Sequence, residues 1–254
     1  MTNIQPVPAA TVVLARESEV HPDIEILLLK RNSRLVFHGG HWVFPGGRID
    51  AKDFKRSRGD LEYPAALKAA VRETREEAGI EISEEHLIHT AHWTTPPKQP
   101  RRFSTWFFVC PLYEHVSVRV DNDEILEHRW ITPVKALAEA DAESLVLPRP
   151  TRVTLQDIAL HQTLKELVAA ATEGNIRVFP KDSKHYHPVK MGYSPSGWFE
   201  IFSSRWLLQE VADRQVPDIS SLSRRFLGDS TKPESILGDP SHNAVGVLSK
   251  NNLA

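Results

Sequence analysis

Residues 69–80 read AAVRETREEAGI, and no other stretch limits the fold as tightly. Pro64 suits a first helical turn and Gly79 a stop, so the spacing predicts a helix over residues 65–78. With Ala66 at 0° and about 100° per residue, Leu67, Val71, Thr74 and Ala78 gather near 80–140° and form a core stripe. Ala66, Ala70, Glu73 and Glu77 gather within about 40° of zero by the same geometry. Lys68 and Arg75 point away. A stripe that begins as alanines and ends as glutamates suggests a face lying close to other backbone, with its acids opening into a cleft. Those acids crowd the negative pole of the helix dipole, where carboxylates are disfavoured. A solvated surface helix would not need them there. A divalent cation would: carboxylates at i, i+3 and i+4 can converge on Mg²⁺ or Mn²⁺, which take hard oxygen ligands. Glu73, Glu76 and Glu77 are therefore candidate metal ligands, with Arg72 in reach of Glu76 for an i, i+4 ion pair.

The flanking text alternates strand-like and irregular segments. Residues 11–15 and 24–29 are β-rich and separated by a polar turn, which predicts a hairpin. Residues 38–47 hold four glycines and Pro45, so backbone shape dominates there. Residues 49–63 are polar without a clear period and read as a loop. Residues 87–93, 105–110 and 128–131 look like strands. A proline-rich basic connection, TPPKQPRRFS, lies between the first two, and an acidic turn at residues 121–124 precedes the third. Thr132-Pro133 is an N-cap and first-turn pair for a helix to about Ala140. Residues 154–173 read as one long helix with Leu160, Leu164, Leu167, Val168 and Ala171 on one stripe. Beyond Gly174 the pattern weakens. Trp198, Phe199, Phe202, Trp206 and Leu207 suggest one more amphipathic element, and the composition from Val216 onward suggests weak order.

Bulk properties exclude several classes. The chain has 254 residues, 41% hydrophobic and 25% charged, with net charge −2, so no global field points to nucleic acid or an anionic membrane. No apolar run approaches the roughly 18–20 residues of a membrane helix. The single cysteine, Cys110, rules out an internal disulfide within this sequence. The first residues show no basic flank followed by a long apolar run. The expectation from these features is a cytoplasmic protein, with a peroxisomal location left open, acting alone or as a homodimer.

RETREEAGI resembles the second half of the Nudix box, G-x5-E-x7-R-E-U-x-E-E-x-G-U, where U is apolar. Arg72, Glu73, Glu76, Glu77, Gly79 and Ile80 match, with Thr74 at a position usually aliphatic. FPGG at residues 44–47 resembles the start of the box. Between these halves the chain departs from the pattern: 24 residues separate Gly47 from Arg72, against 13 in the pattern. Pro64 occupies the place of the first glutamate counted back from Arg72. Asp53, Asp60 and Glu62 are the candidate replacements.

The resemblance covers about residues 8–172 and implies an α/β fold, a Nudix-like α/β/α sandwich with a mixed β-sheet. Residues 173–254 would form a C-terminal extension, partly irregular or disordered. It further implies hydrolysis of a nucleoside diphosphate linked to another moiety. The metal would be held by Glu73, Glu76, Glu77 and the Gly46 carbonyl, with Arg72 orienting a glutamate. The base would be a helix glutamate or Glu124, since DEILEHRW resembles a family segment in which an acid precedes a strand tryptophan.

LLLKRNSRLVFHGGHWVFPGG resembles the motif of the coenzyme A diphosphatases within that family, with Arg31, Gly40 and Phe44 in register. Leu29, Asn32 and Val36 depart from it, and Arg34 lies two residues before the place of a motif arginine. The insertion and the Pro-Arg-Arg-Phe run resemble the same subgroup. The implied substrate is coenzyme A or an acyl-CoA, with Arg31, Arg34, Arg101 and Arg102 as candidate phosphate contacts. A nucleotide sugar, NADH or a nucleoside triphosphate is the alternative substrate, and a non-catalytic binding module the alternative role. Trp93 and Trp106 read as core aromatics before adenine platforms, and His185-Tyr186-His187 as loop before metal site.

Overall fold

The computed structural model describes residues 4–19, 22–35, 38–55 and 61–193. Asp60, the amphipathic run from Trp198 to Leu207 and the chain beyond Val216 lie outside the described residues. The elements follow in order as β1 (Val7–Glu17), β2 (Ile24–Arg31), β3 (Trp42–Val43), β4 (Gly46–Arg48), α1 (Ala51–Lys55), α2 (Glu62–Ala78), β5 (Ile88–Thr94), β6 (Phe103–Leu112), β7 (Ile125–Ile131), α3 (Pro133–Asp141), α4 (Arg149–Ile158), α5 (Leu164–Glu173) and β8 (Arg177–Phe179). The eight strands among the described residues join one mixed sheet.

Strand β1 organises the sheet. It runs parallel to β6 from Val7 opposite Phe103 to Arg16 opposite Leu112. On its other side the sheet forks. Residues Ala15, Arg16 and Glu17 pair antiparallel with β2, whereas Ala9, Ala10 and Thr11 pair with β4. Pro45 sits in the fork, and its carbonyl accepts from Val12 N at 2.9 Å and from Thr11 Oγ1 at 2.8 Å. Strand β2 then diverges to pair with β3 and β7. The fork places Pro45 and the Gly46–Gly47 turn between β1 and the diverging β2.

Alternation along the strands sends side chains to two cores. Val12, Leu14, Leu27, Leu29, Trp106 and Phe108 face α2. Val13, Ile24, Ile26, Leu28, Phe107 and Val109 face α4 and α5, with Leu155, Ile158, Leu164 and Leu167 opposite them. The result is the α/β/α sandwich expected.

Helix α2 differs from expectation in which face is buried. Ala65, Ala66, Ala69 and Ala70 are buried with Glu77; of the expected core stripe, Thr74 and Ala78 are fully buried, whereas Leu67 and Val71 are half-buried at the edge of the same core. The buried face therefore takes in the alanine stripe as well. Small side chains let the helix backbone lie close to β1 and β4, which carries Glu73 and Glu77 directly onto the glycine turn. Gly79 ends the helix in the left-handed conformation at φ 66°, its N–H donating to Arg75 O.

Two other elements differ. Residues 49–63, expected as loop, contain α1, whose start is fixed locally: Asp50 O accepts from Asp53 N, and Asp53 Oδ2 accepts from Asp50 N at 2.9 Å. The long helix expected over 154–173 is two helices. Thr163 Oγ1 accepts from Glu166 N and Glu166 Oε2 accepts from Gln162 N, so a Thr-x-x-Glu capping arrangement starts α5 afresh. Leu160 falls in the break and is 79% exposed rather than on an apolar stripe. The sheet also continues past residue 172, because β8 pairs parallel to β5. Tyr193 is buried in the α2-side core, and Met191 O accepts from Tyr63 N, satisfying a backbone donor of the first turn of α2.

Candidate active site

The Gly46–Gly47 turn is the floor of the site. A Cβ on Gly46, whose φ is 155°, would lie 2.4 Å from Ala10 O, so only glycine lets β4 approach β1 this closely. A Cβ on Gly47 would lie 2.4 Å from Glu73 Oε1, so the Glu73 carboxylate rests directly on this residue. Glu77 Oε2 accepts from Gly46 N at 2.9 Å. The first half of the box and the helix carboxylates are thus brought into contact across the fork.

Arg72 fixes the acids from behind. Its Nη1 donates to Glu73 Oε1 at 2.7 Å and to Glu76 Oε2 at 3.0 Å. Its Nη2 donates to Arg48 O and to Asp53 Oδ2, both at 2.9 Å, and Nε donates to Asp53 Oδ1 at 3.3 Å. Burial alone would lower the Arg72 pKa, but the hydrogen bonds to Asp53 and Glu73 outweigh it and hold the group above its ordinary value. Asp53 is only 5% exposed and, among the described candidates for the missing first glutamate, it is the one that binds Arg72. Glu62 is not that acid, because its Oε1 accepts from Trp106 Nε1 at 2.8 Å. The signal was in the sequence: Asp53 lies six residues after Gly47, in register counted forward, so the extra residues fall after it.

The acidic turn closes the other side. Asp121 Oδ1 accepts from the N–H groups of Asp123, Glu124 and Ile125, at 2.7, 2.8 and 3.0 Å. Asn32 ties this turn to the end of β2, its N donating to Glu124 O and its Nδ2 to Asp123 O. Arg31 donates to Glu124 Oε1, and its Nη1 lies 3.8 Å from Glu77 Oε1. Glu124 is half-exposed and acts electrostatically on both Glu73 and Glu77. Burial pushes the Glu77 carboxyl up to about 8, with the negative charges of Glu73 and Glu124 adding to the effect. Burial also raises Glu73.

A divalent ion fits this donor set in kind. Hard carboxylate oxygens suit Mg²⁺ or Mn²⁺, and a carboxyl buried as deeply as Glu77 needs a cation beside it to ionise fully at neutral pH. Glu76 is turned toward Arg72 and Lys52, and among the described residues no three Asp, Glu, His or Cys side chains converge at metal-ligand spacing.

The NUDIX domain model matches residues 5–148. The chain belongs to the Nudix family. Acyl-coenzyme A diphosphatase NUDT19 of Xenopus laevis is 24% identical over 236 residues, which covers 57% of this chain and 62% of the relative. Mitochondrial coenzyme A diphosphatase NUDT8 of Mus musculus is 37% identical over 81 residues, covering 32% of this chain and 34% of the relative. The chain therefore spans less than two thirds of the length of these curated relatives. A NUDIX hydrolase structure from Alicyclobacillus acidocaldarius superposes with a TM-score of 0.59 at 23% identity, over 65% of this chain and 96% of that one, and supports the fold.

Within this Nudix domain the candidate arginines part company. Arg31 lies among the carboxylates. Arg34 is exposed in the following turn, its N donating to Asn32 Oδ1. Arg101 is exposed with no hydrogen bond or ion pair among the described residues. Arg102 is buried, 4% exposed, and its guanidinium donates to Thr95 O and Ile4 O. It ties the β5–β6 connection to the N-terminal segment and is not free to grip phosphate, a long-range contact that a local sequence pattern does not reveal. Trp106 is fully buried and Trp93 stacks on Phe179 at 3.9 Å, so both pack as core aromatics. Tyr186 stacks on His92 at 4.5 Å, within the loop that covers β5.

Proposed function

We propose that this Nudix chain is a divalent-metal-dependent diphosphatase that cleaves the diphosphate of coenzyme A or an acyl-CoA, giving 3′,5′-ADP and (acyl-)4′-phosphopantetheine. The observation that carries the reading is the Arg72 fork. One guanidinium, anchored by buried Asp53, holds Glu73 and Glu76 while Glu77 binds Gly46 N in the same turn. Nothing in the packing of a bare helix calls for this concentration of acid at its negative pole.

Glu73, Glu76 and Glu77 would hold Mg²⁺ or Mn²⁺, with the Gly46 carbonyl beside them. The ion would neutralise diphosphate oxygens and lower the pKa of an attacking water. The chain's own groups do the rest. Arg72 sets the carboxylate positions, and Arg31 places a guanidinium between Glu77 and Glu124, within reach of a phosphoryl oxygen. Glu124 is the carboxylate best placed to take a proton from water: it is half-exposed, its backbone is fixed by Asp121, and it borders the cluster.

The coenzyme A preference is supported by the 27–47 motif and by relatives named as coenzyme A diphosphatases. A second reading, another nucleoside diphosphate derivative, is favoured by the burial of Arg102, which removes one of two adjacent arginines from phosphate recognition. A panel of coenzyme A, NADH, a nucleotide sugar and a nucleoside triphosphate, ranked by kcat/KM with Mg²⁺ and with Mn²⁺, separates the two. Coenzyme A ranked first, with 3′,5′-ADP as product, supports the proposal; clear turnover of another diphosphate without any 3′,5′-ADP overturns the substrate assignment.

A further inference from the structure

An open groove of about 400 Å³ runs between α1 and the outer face of α2. It adjoins the acid cluster, because Arg72 and Glu76 belong to both. Lys52, Lys68 and Arg75 line it together with Asp53, Glu76, Glu81 and Glu84; of these acids Asp53 is held by Arg72. These cations are not committed to the acids. Lys52 Nζ lies 3.8 Å from Glu76 and 3.9 Å from Asp50, and Arg75 Nε lies 4.0 Å from Glu81. Pairs that are engaged elsewhere in the molecule close to 2.7–2.9 Å, as for Lys30 with Glu127 and Arg72 with Asp53. Lys68 is half-buried and makes no hydrogen bond or ion pair among the described residues; its charge acts on Glu84 without contact. Burial raises the Glu84 carboxyl above its ordinary value.

We propose that this groove is a subsite for a phosphate monoester carried by the substrate, gripped by Lys68 and Arg75 with Lys52 at the junction to the acid cluster. The inference rests on the diphosphatase reading and goes beyond it by naming a second anionic group and the residues that recognise it. Three donors held near, but not on, their acids can turn to a dianion with little rearrangement, and charge-assisted bonds to phosphate oxygens are the stronger kind. The groove's continuity with Glu76 places such a group on the same ligand as the diphosphate rather than on a separate effector. Coenzyme A carries this group and dephospho-coenzyme A lacks it; NADPH and NADH form a second such pair.

The test is a ratio. The kcat/KM for coenzyme A over dephospho-coenzyme A, and for NADPH over NADH, is measured for the wild type, for Lys68→Ala with Arg75→Ala, and for Lys68→Glu. Binding of 3′,5′-ADP against 5′-AMP is measured by calorimetry on the same proteins, so the outcome does not depend on which diphosphate is turned over. The wild type should favour the member with the extra phosphate by at least about tenfold, and the variants should erase most of that preference. Retention of the wild-type preference in folded variants, or equal affinity of the wild type for 3′,5′-ADP and 5′-AMP, overturns the subsite. If coenzyme A is not a substrate but the NADPH preference falls in the variants, the coenzyme A reading fails and the subsite stands.

Discussion

Asp53→Asn is the substitution that separates the present account from one in which the helix carboxylates alone make the site. The change keeps the shape of the side chain and removes its charge. Asp53 is buried and receives two hydrogen bonds from Arg72 and one from Asp50 N. Breaking a buried ion pair by removing one partner costs about 3–5 kcal/mol. Arg72 keeps Glu73, Glu76 and Arg48 O, so the expected loss lies at the lower end, about 3 kcal/mol. For a domain of this size that lowers the melting temperature by about 6–12 °C. Catalysis should suffer more than stability. With its anchor gone, Arg72 can shift, and a displacement of about 1 Å in the carboxylates it holds costs on the order of 10²-fold in rate. The assay is thermal and denaturant unfolding beside kcat/KM on the best diphosphate of the panel, with Glu62→Gln as the comparison. Glu62→Gln should lose no more than the single bond to Trp106, about 1 kcal/mol, and keep most of its activity. Wild-type behaviour of Asp53→Asn, or a larger activity loss in Glu62→Gln, would refute the assignment of Asp53.

Four further outcomes are expected. Metal binding at pH 7 should release close to one proton, because the carboxyl of Glu77 titrates at about 8; calorimetry in buffers of different ionisation enthalpy reads the number, and affinity should rise with pH up to that value. Without divalent ions, the stability contributed by Glu77 is fully present below its ordinary value of 4.5 and is lost as pH rises through about 8, so Glu77→Gln should flatten the fall in unfolding free energy over that window. Gly47→Ala should displace the Glu73 carboxylate and abolish most activity, visible as a rate loss much larger than its change in melting temperature. Thr163→Ala removes the cap that starts α5 and should cost about 1 kcal/mol in denaturant unfolding with kcat/KM intact.

The acid cluster was readable because its chemistry conflicts with local physics: carboxylates at the wrong pole of a helix, aligned with alanines and closed by Gly79. The strands around the fork were readable from β-rich runs and turn residues. Counted back from Arg72, the extra residues displace the first acid and leave three candidates; counted forward from Gly47, Asp53 is in register. The break at Thr163 was written in Thr-x-x-Glu but masked by leucines at helical spacing on both sides. The burial of Arg102 and the packing of Tyr193 beside Tyr63 depend on contacts between distant segments, with Ile4 in the first case and the start of α2 in the second. No local pattern encodes either.

The central claim is that the carboxylates gathered by Arg72 around the Gly46–Gly47 turn are the hydrolytic centre. Its most direct test is kcat/KM of Glu77→Gln on the best diphosphate of the panel, with folding checked by circular dichroism. The account predicts a folded protein with activity lowered by at least about 10²–10³-fold, the scale on which losing one stabiliser of transition-state charge is felt. A folded Glu77→Gln that turns over at the wild-type rate would contradict it.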